Sequence, residues 1–312
     1  MTNLLRAAIL LGCFFLVNQS TKAQDNHEQT TVINQKKIAY KTYGLSARKA
    51  GEPVIVFEQG MGGGAWEQLY AFLPAAAARI EYSRNGIGSS EPDTSLQTHT
   101  AVVNRLHSLL QELKIAPPYL LVGHSVGGAY IRLFAARFPG ETAGLVFIDP
   151  TDFMLTAAED IRAKMESKSK TSYRQIWLIN LKEMSGNSDI PVGPRTEMLR
   201  EYRLAQKGFF TEYRELGKLP DIPVTVLISY QKPEEQYEAE MNARLKLGIN
   251  RDSWWRAYDQ LRITHFTDLI RTNHGSQLIL LPEYSHGIHF QDPELSGAAI
   301  SRVYQAILKP AQ

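Results

Sequence analysis

The segment LLVGHSVGGAY, residues 120–130, joins an apolar run to a stretch with helical periodicity. Ser125 lies at the junction, with Gly123 two residues before it and Gly127 two residues after it. A tight turn from strand to helix needs small residues at both places. Such a turn holds a hydroxyl at the carboxyl end of the strand, beside the N–H groups of the following helix. We therefore predict that Ser125 is a nucleophile; the alternative is a glycine-rich turn with a solvent-facing serine.

Apolar runs with strand character alternate with helical segments along the chain. The runs are residues 36–44, 53–58, 79–83, 119–123, 144–149, 224–229 and 277–281. Between them, apolar residues recur at spacings of three and four, as in Val102, Leu106, Leu109 and Leu113. Continuous apolar runs are typical of strands that are buried on both faces. The pattern predicts an α/β fold with a mostly parallel central sheet and helices on both faces.

Two long connections interrupt this alternation. Residues 153–220 are charged and helix-forming and contain no clear buried strand, which predicts a helical lid inserted between two strands of the sheet. The alternative is a plain surface excursion. Residues 232–275 carry Trp254, Trp255 and Tyr258 at helical spacing. We interpret these aromatic residues as core packing rather than as part of a ligand site.

A serine hydroxyl needs a base to become a nucleophile, and the last strand is followed by two histidines. His286 falls on the loop directly after that strand, and we predict that it is the base. We expect His289 to pack at the start of the next helical region. A metal site on these two histidines lacks a third ligand in the surrounding sequence.

The loop QGMGGGAW, residues 59–66, follows the strand at residues 53–58. Its glycines allow the backbone to approach a substrate closely. We predict that the N–H groups of Met61 and Val126 form an oxyanion hole. A phosphate-binding loop would also be rich in glycine, but this loop lacks the lysine of a P-loop.

Over nearly all of the chain after residue 23, these segments resemble the α/β-hydrolase fold superfamily. The segments VIVFEQGMGGGAWEQL, YSRNGIGSS, LLVGHSVGGAYIRLFAARFP, GLVFIDP and YSHGIHFQDPEL occur in the order typical of that superfamily. The resemblance implies serine-hydrolase chemistry, with Ser125 as nucleophile and His286 as base. The chain departs from the usual pattern in two places: Gln59 precedes Gly60 where many members have histidine, and Ser83 precedes Arg84 where many have aspartate.

The third member of the implied triad is displaced. Many members carry an aspartate shortly after the strand that here spans residues 224–229, but this chain has Lys232 there. The resemblance to pancreatic-type lipases, whose acid follows the preceding strand in a similar Leu-Asp-Pro context, favours Asp149. Glu234 is the alternative, and Asp152 is a third candidate.

The N-terminus has the order of charged, apolar and polar segments that is typical of a secretory signal peptide at residues 1–23. The apolar run is shorter than the roughly 20 residues that span a bilayer. We therefore expect an exported protein, periplasmic or secreted, with residues 24–312 as one α/β-hydrolase domain and no membrane insertion after cleavage. A retained anchor and a lipid attached to Cys13 are the alternatives.

Cleavage would leave 32 basic and 32 acidic residues, so no basic excess indicates nucleic-acid binding. It would also remove the only cysteine. We expect a cofactor-free serine hydrolase that cleaves a carboxylic ester or related acyl bond of a small molecule through an acyl-enzyme. The alternatives are peptide, amide or C–C bond hydrolysis on the same triad, and a binding protein that keeps the fold without catalysis.

Overall fold

A computed structural model describes residues 27–309, which form one eight-stranded sheet flanked by helices. The strands follow one another across the sheet in the order β1-β2-β4-β3-β5-β6-β7-β8. Their bounds are β1 Gln29–Ile33, β2 Lys36–Tyr43, β3 Val54–Glu58, β4 Arg79–Tyr82, β5 Tyr119–His124, β6 Thr142–Ile148, β7 Val224–Tyr230 and β8 Gln277–Pro282.

The sheet is antiparallel only at one side, where β2 pairs with β1 and β4, and the other pairs are parallel. The predicted α/β class, with a mostly parallel sheet, is therefore confirmed. All seven predicted strands are present. The eighth, β1, was not predicted, because its sequence QTTVI is short, largely polar and mostly exposed.

Side chains of the central strands alternate between two apolar layers. Val54 and Val56 of β3 face a core that includes residues of the first two helices, while Ile55 and Phe57 face a core that includes the last helix. Both layers exclude water almost completely, and burial of one such side chain stabilises the fold by about 1.5–3 kcal/mol. This doubly covered sheet provides a rigid edge from which the loops after the strands project.

Nine α-helices surround the sheet in the described part of the chain. They are α1 His99–Glu112, α2 Val126–Arg137, α3 Ala157–Glu166, α4 Tyr173–Gly186, α5 Val192–Lys207, α6 Gln236–Arg244, α7 Arg251–Ile270, α8 Ile288–Gln291 and α9 Pro293–Leu308. The predicted insertion at residues 153–220 thus contains α3, α4 and α5 between β6 and β7. Capping boxes led by Thr156 and Ser172 define where α3 and α4 begin.

The predicted signal peptide at residues 1–23, including Cys13, lies outside the described residues. Both ends of the predicted domain at 24–312 also fall outside them. Within residues 27–309, no helix combines the length and the apolar character needed to cross a membrane.

Candidate active site

Ser125 lies on a strained turn between β5, which ends at His124, and α2, which begins at Val126. Its φ of 55° and ψ of −123° are unfavourable for a residue with a side chain. The flanking glycines make the turn possible. A Cβ on Gly123 would lie 2.6 Å from the carbonyl oxygen of Gly127, and a Cβ on Gly127 would lie 2.3 Å from the carbonyl oxygen of Glu58. The turn therefore has the geometry that the sequence predicted.

His286 and Asp149 meet at the carboxyl edge of the sheet. His286 follows β8, and its Nδ1 lies 2.5 Å from Oδ2 of Asp149, which directly follows β6. Asp149 is completely buried, whereas the side chain of His286 is half exposed. Ser125 and His286 line the same cavity of about 410 Å³. An imidazole with Nδ1 on a carboxylate keeps Nε2 free of that contact, which is the arrangement that a general base requires.

Two cations share the Asp149 carboxylate with His286. Nζ of Lys232 lies 2.9 Å from Oδ2, and Nη1 of Arg262 lies 3.0 Å from Oδ1, which also accepts the backbone N–H of Ser229 at 2.9 Å. Burial opposes ionisation of Asp149. The charges of Arg262 and Lys232 and the bond from His286 outweigh it and hold the pKa of Asp149 well below its usual range. The carboxylate is therefore ionised at neutral pH.

The other two carboxylate candidates have different partners. Oε1 of Glu234 lies 3.6 Å from Nε of Arg251, and its side chain is about half exposed. Asp152 lies 2.8 Å from Nδ1 of His265. The structure thus brings Asp149 to His286, and it engages Glu234 and Asp152 in ion pairs elsewhere along the cavity.

Two further histidines lie behind His286. His124 is bonded through Nε2 to the carbonyl oxygen of His286 at 3.0 Å, and its ring lies 4.5 Å from that of His289. His289 is buried in α8 with its ring against Trp66, in the packing position that the sequence predicted. Burial and His286 lower the pKa of His124 well below its usual range and that of His289 to about 4. Both rings are therefore neutral at neutral pH.

The predicted oxyanion donors flank Ser125. Val126 is the first residue of α2, where N–H groups have no acceptor within the helix. Met61 follows Gly60, and a Cβ on Gly60 would lie 3.3 Å from Cβ of Ser125 and 2.8 Å from Nδ1 of His124. The glycine therefore lets the loop backbone lie close to the serine.

Arg84 binds the backbone of the glycine-rich loop at residues 59–66. Its guanidinium donates to the carbonyl oxygens of Gln59 and Gly60, at 2.6 Å each, and its Nε lies 2.8 Å from Oε1 of Glu197 in α5. Oε2 of Glu197 in turn accepts the N–H of Gly62 at 2.9 Å. A trans peptide points its C=O and N–H in opposite directions. The bond to the Gly60 carbonyl therefore turns the N–H of Met61 away from Arg84.

Of the candidates predicted from the sequence, the structure brings Asp149 into contact with His286 and places Ser125 beside the same cavity. The sequence prediction did not include the contacts of Arg84 and Arg262. In the sequence, Arg84 is distinguished only by Ser83, which precedes it where many family members have aspartate. Arg262 was not noted, although it follows Tyr258 by four residues and therefore lies on the same face of α7. An arginine on the buried face of an amphipathic helix indicates a buried anion, and that signal was present in the sequence.

Aromatic side chains from both long connections line the cavity. They are Tyr173 and Trp177 of α4 and Trp254, Trp255 and Tyr258 of α7. Trp254 and Tyr258 also belong to the apolar core, as predicted. Trp254, Trp255 and Tyr258 line the cavity as well, so core packing, the interpretation made from the sequence, describes only part of their surroundings.

A family model described as "Alpha/beta hydrolase family" matches residues 55–296. The chain belongs to the alpha/beta hydrolase family. Among the curated relatives of this hydrolase, the uncharacterized protein YqjL of Bacillus subtilis is 36% identical over 98 residues, 31% of this chain and 39% of YqjL. The pFDCC methylesterase MES16 of Arabidopsis thaliana is 25% identical over 256 residues, 80% of this chain and 94% of MES16.

The hydrolase spans about two fifths of the length of YqjL. The solved structure of a Vigna radiata epoxide hydrolase mutant has a TM-score of 0.59 at 13% identity, covering 90% of this chain and 99% of the other. That likeness shows the shared fold.

Proposed function

We propose that this hydrolase is a serine esterase that cleaves a carboxylic ester through an acyl-enzyme on Ser125. The observation that carries the proposal is the bond from His286 to the buried Asp149, beside a cavity that Ser125 also lines. A serine on a strained elbow, a histidine and an ionised carboxylate are the parts that acyl transfer needs. The distant relative MES16, a methylesterase by name, supports an ester substrate.

In the first half-reaction, Oγ of Ser125 attacks the carbonyl carbon of the ester while Nε2 of His286 takes the hydroxyl proton. The carbonyl oxygen becomes an oxyanion, which accepts the N–H groups of Met61 and Val126. The intermediate then collapses, and the bond to the alcohol oxygen breaks. His286 returns its proton to that oxygen, so the alcohol leaves neutral and the acyl group stays on Ser125.

In the second half-reaction, His286 takes a proton from water, and the hydroxide oxygen attacks the acyl carbon. Collapse of this intermediate breaks the bond to Oγ, which regains the proton from His286, and the carboxylic acid leaves. Asp149 holds the imidazole in one orientation and stabilises it while it is protonated. A serine at position 125 disfavours epoxide or haloalkane hydrolysis on this fold, because those reactions use a carboxylate there.

The cavity favours a substrate with an apolar, ring-sized group. Its wall combines the five aromatic rings of α4 and α7 with Leu155, Ile176 and Ile249. Contact with such a wall removes apolar surface from water and is worth about 25 cal/mol per Å² buried.

The test compares the wild type with Ser125→Ala on 4-nitrophenyl esters, on the matched anilides and with a fluorophosphonate probe. We expect ester cleavage and labelling of the wild type. In Ser125→Ala we expect no labelling and a cleavage rate reduced by orders of magnitude, with a residual rate of about 10³–10⁴-fold over water. Faster cleavage of the anilides would favour an amidase. A folded wild type that neither reacts with the probe nor cleaves any ester would contradict the proposal and support a binding protein.

A further inference from the structure

We propose that Lys232 is a positioning residue that acts on His286 through Asp149, and that its ammonium charge sets the pH at which His286 becomes an active base. This inference rests on the proposed function. Lys232 occupies the position at which the family resemblance predicts the acid of the triad. In the structure, its side chain contacts Asp149, the favoured candidate for that acid. Its Nζ lies 2.9 Å from Oδ2 of Asp149, the oxygen that His286 also contacts.

The contact between Lys232 and Asp149 is buried and is supported by neighbouring residues. The side chain of Lys232 is about nine-tenths buried, and Nζ lies 4.8 Å from the centre of the Trp255 ring. Its own carbonyl oxygen accepts Nη2 of Arg251 at 2.6 Å, which fixes the loop after β7. A lysine held at its backbone and at its ammonium group loses the freedom that makes surface lysines weak partners.

Asp149 faces more positive than negative charge. One carboxylate faces the ammonium of Lys232 and the guanidinium of Arg262, so it is already compensated before His286 gains a proton. Asp259 balances Arg262 in part, at 3.1 Å from its Nη2. Protonation of His286 therefore places a third cation on the same carboxylate. A like charge nearby disfavours the charged form of an ionisable group.

The groups that face Lys232 come from every neighbouring element. They are Asp149 after β6, Glu234 and Glu235 in its own loop, Glu238 in α6, Arg251, Asp259 and Arg262 in α7, and His286 after β8. Burial, followed by the charge of Arg262, lowers the pKa of Lys232, while Asp149 opposes the change. Asp149 is ionised at neutral pH, and His124 and His289, whose pKa values are lowered by burial and by His286, are neutral there. His286 is therefore the histidine at this carboxylate whose protonation Lys232 would oppose.

The experiment measures the second-order rate of fluorophosphonate labelling of Ser125 between pH 5 and pH 9, a readout that needs no knowledge of the substrate. Labelling needs neutral His286, so its rate rises with pH. Removing a neighbouring cation stabilises protonated His286 and moves this rise to higher pH. In Lys232→Met we expect a shift of about 1 pH unit, equivalent to about a tenfold slower labelling at pH 5 with little change at pH 9.

Three variants make the result specific. Lys232→Arg keeps the charge and should retain the wild-type midpoint. Lys232→Gln keeps an N–H donor for Asp149 without the charge, and it supplies the same comparison as Lys232→Met if that variant does not fold. Lys218→Met removes an exposed lysine before β7 and should leave the whole profile unchanged.

A midpoint that stays in place in the folded neutral variants, even with a lower plateau, would overturn the inference and assign Lys232 a structural role. A wild type that the probe does not label would instead contradict the proposed function, so the two failures are distinguishable.

Discussion

At the scale of single residues, the chemistry of this site depends on how Asp149 shares its two oxygens. Oδ2 contacts His286 and Lys232, while Oδ1 contacts Arg262 and accepts a hydrogen bond from the backbone N–H of Ser229. Desolvation of an isolated carboxylate is costly, and these four partners offset that cost. Asp149, the proposed acid of the triad, is therefore also the centre of a buried ionic cluster.

Replacing this carboxylate tests its role against that of Glu234. We expect Asp149→Asn to lower kcat by up to about 10⁴-fold, because the amide no longer stabilises the imidazolium. We expect Glu234→Gln to change kcat less than about tenfold, because Glu234 is half exposed and paired with Arg251. Steady-state kinetics on an activated ester measures both. A mild Asp149→Asn together with a crippling Glu234→Gln would assign the acid to Glu234.

Asp149→Asn also removes the carboxylate that faces Lys232 and leaves Arg262 with Asp259 alone, which can cost about 3–5 kcal/mol of stability. Circular dichroism must therefore show that the variant is folded. The double variant Asp149→Asn/Lys232→Met also removes the cation that Asp149→Asn leaves without that carboxylate, and it serves as the control.

His265 provides a second prediction at this scale, concerning pH and stability. Burial lowers the pKa of His265, but the bonds and charges of Asp152 and Glu159 outweigh burial and raise it to about 9. A raised pKa stabilises the fold fully below about pH 6.5, the value for the unfolded chain, and this contribution is lost as pH rises through about 9.

We expect the free energy of unfolding, measured by urea denaturation, to fall by about 1–2 kcal/mol more between pH 6 and pH 9.5 in the wild type than in His265→Gln. The exposed His274 offers a matched control, since His274→Gln should keep the wild-type slope. Identical slopes in the wild type and His265→Gln would show that this ion pair does not persist in solution.

Candidate site residues could be predicted from the sequence where the pattern that identifies them is local. Ser125 and its glycines fall within five positions, and the turn they imply depends only on nearby backbone. The Asp149–His286 contact joins residues 137 positions apart, so the residues alone left three carboxylates open. The resemblance to lipases favoured Asp149. Only the folded sheet, which brings the ends of β6 and β8 to one edge, shows which carboxylate lies against the histidine.

At the scale of elements, the turn between β5 and α2 depends on the close approach of α2 to the end of β3. A Cβ on Gly127 would lie 2.3 Å from the carbonyl oxygen of Glu58 and 2.6 Å from that of Gln59. Neither oxygen belongs to a flexible side chain, so the backbone itself would have to move. Gly127 therefore allows the turn at Ser125 to pack closely against the loop that begins at Gln59.

We expect Gly127→Ala to lower the free energy of unfolding by about 3 kcal/mol and to abolish probe labelling of Ser125. Gly140→Ala, in the loop after α2, is the control, because a Cβ there meets no heavy atom within 4 Å. That variant should remain within about 0.5 kcal/mol of the wild type. Urea denaturation gives both values, and equal stability of the two variants would contradict this account of the turn.

The insertion between β6 and β7 is tied to the core more firmly than its charged sequence suggests. Glu197 of α5 is completely buried on Arg84, and Glu201 of the same helix binds His99 and Tyr130. The sequence predicted helices there because charged residues at helical spacing are a local signal. It did not reveal that several of these charges point inward, because their partners lie about 70–110 positions away.

At the scale of the whole molecule, the cavity lies between the sheet edge and both long connections. The sequence predicted a lid in residues 153–220, but α6 and α7, from the connection between β7 and β8, line the cavity together with α4. We propose that α4 and α7 jointly set which acyl groups fit. The rings of Trp177 and Trp254 represent the two elements in this wall.

Replacing Trp177 with alanine tests the contribution of α4 to this selectivity. Trp177→Ala should reduce the preference for a phenylacetyl over an acetyl ester, expressed as a ratio of kcat/KM values, by about tenfold, because the larger acyl group loses apolar contact. Met184→Ala is the matched control on the same helix, since Met184 is partly exposed and does not line the cavity. An unchanged ratio in folded Trp177→Ala would show that α4 does not contact the acyl group.

The most direct test of the central claim is to trap the acyl-enzyme. The wild type would be mixed with a 4-nitrophenyl ester, quenched in acid within the first turnover and analysed by intact-mass and peptide mass spectrometry. The account predicts a mass increase of one acyl group on the peptide that contains Ser125, absent in Ser125→Ala and accumulating far more slowly in Asp149→Asn. Acyl transfer to another residue, such as Glu234, or unchanged ester cleavage by Ser125→Ala, would contradict it.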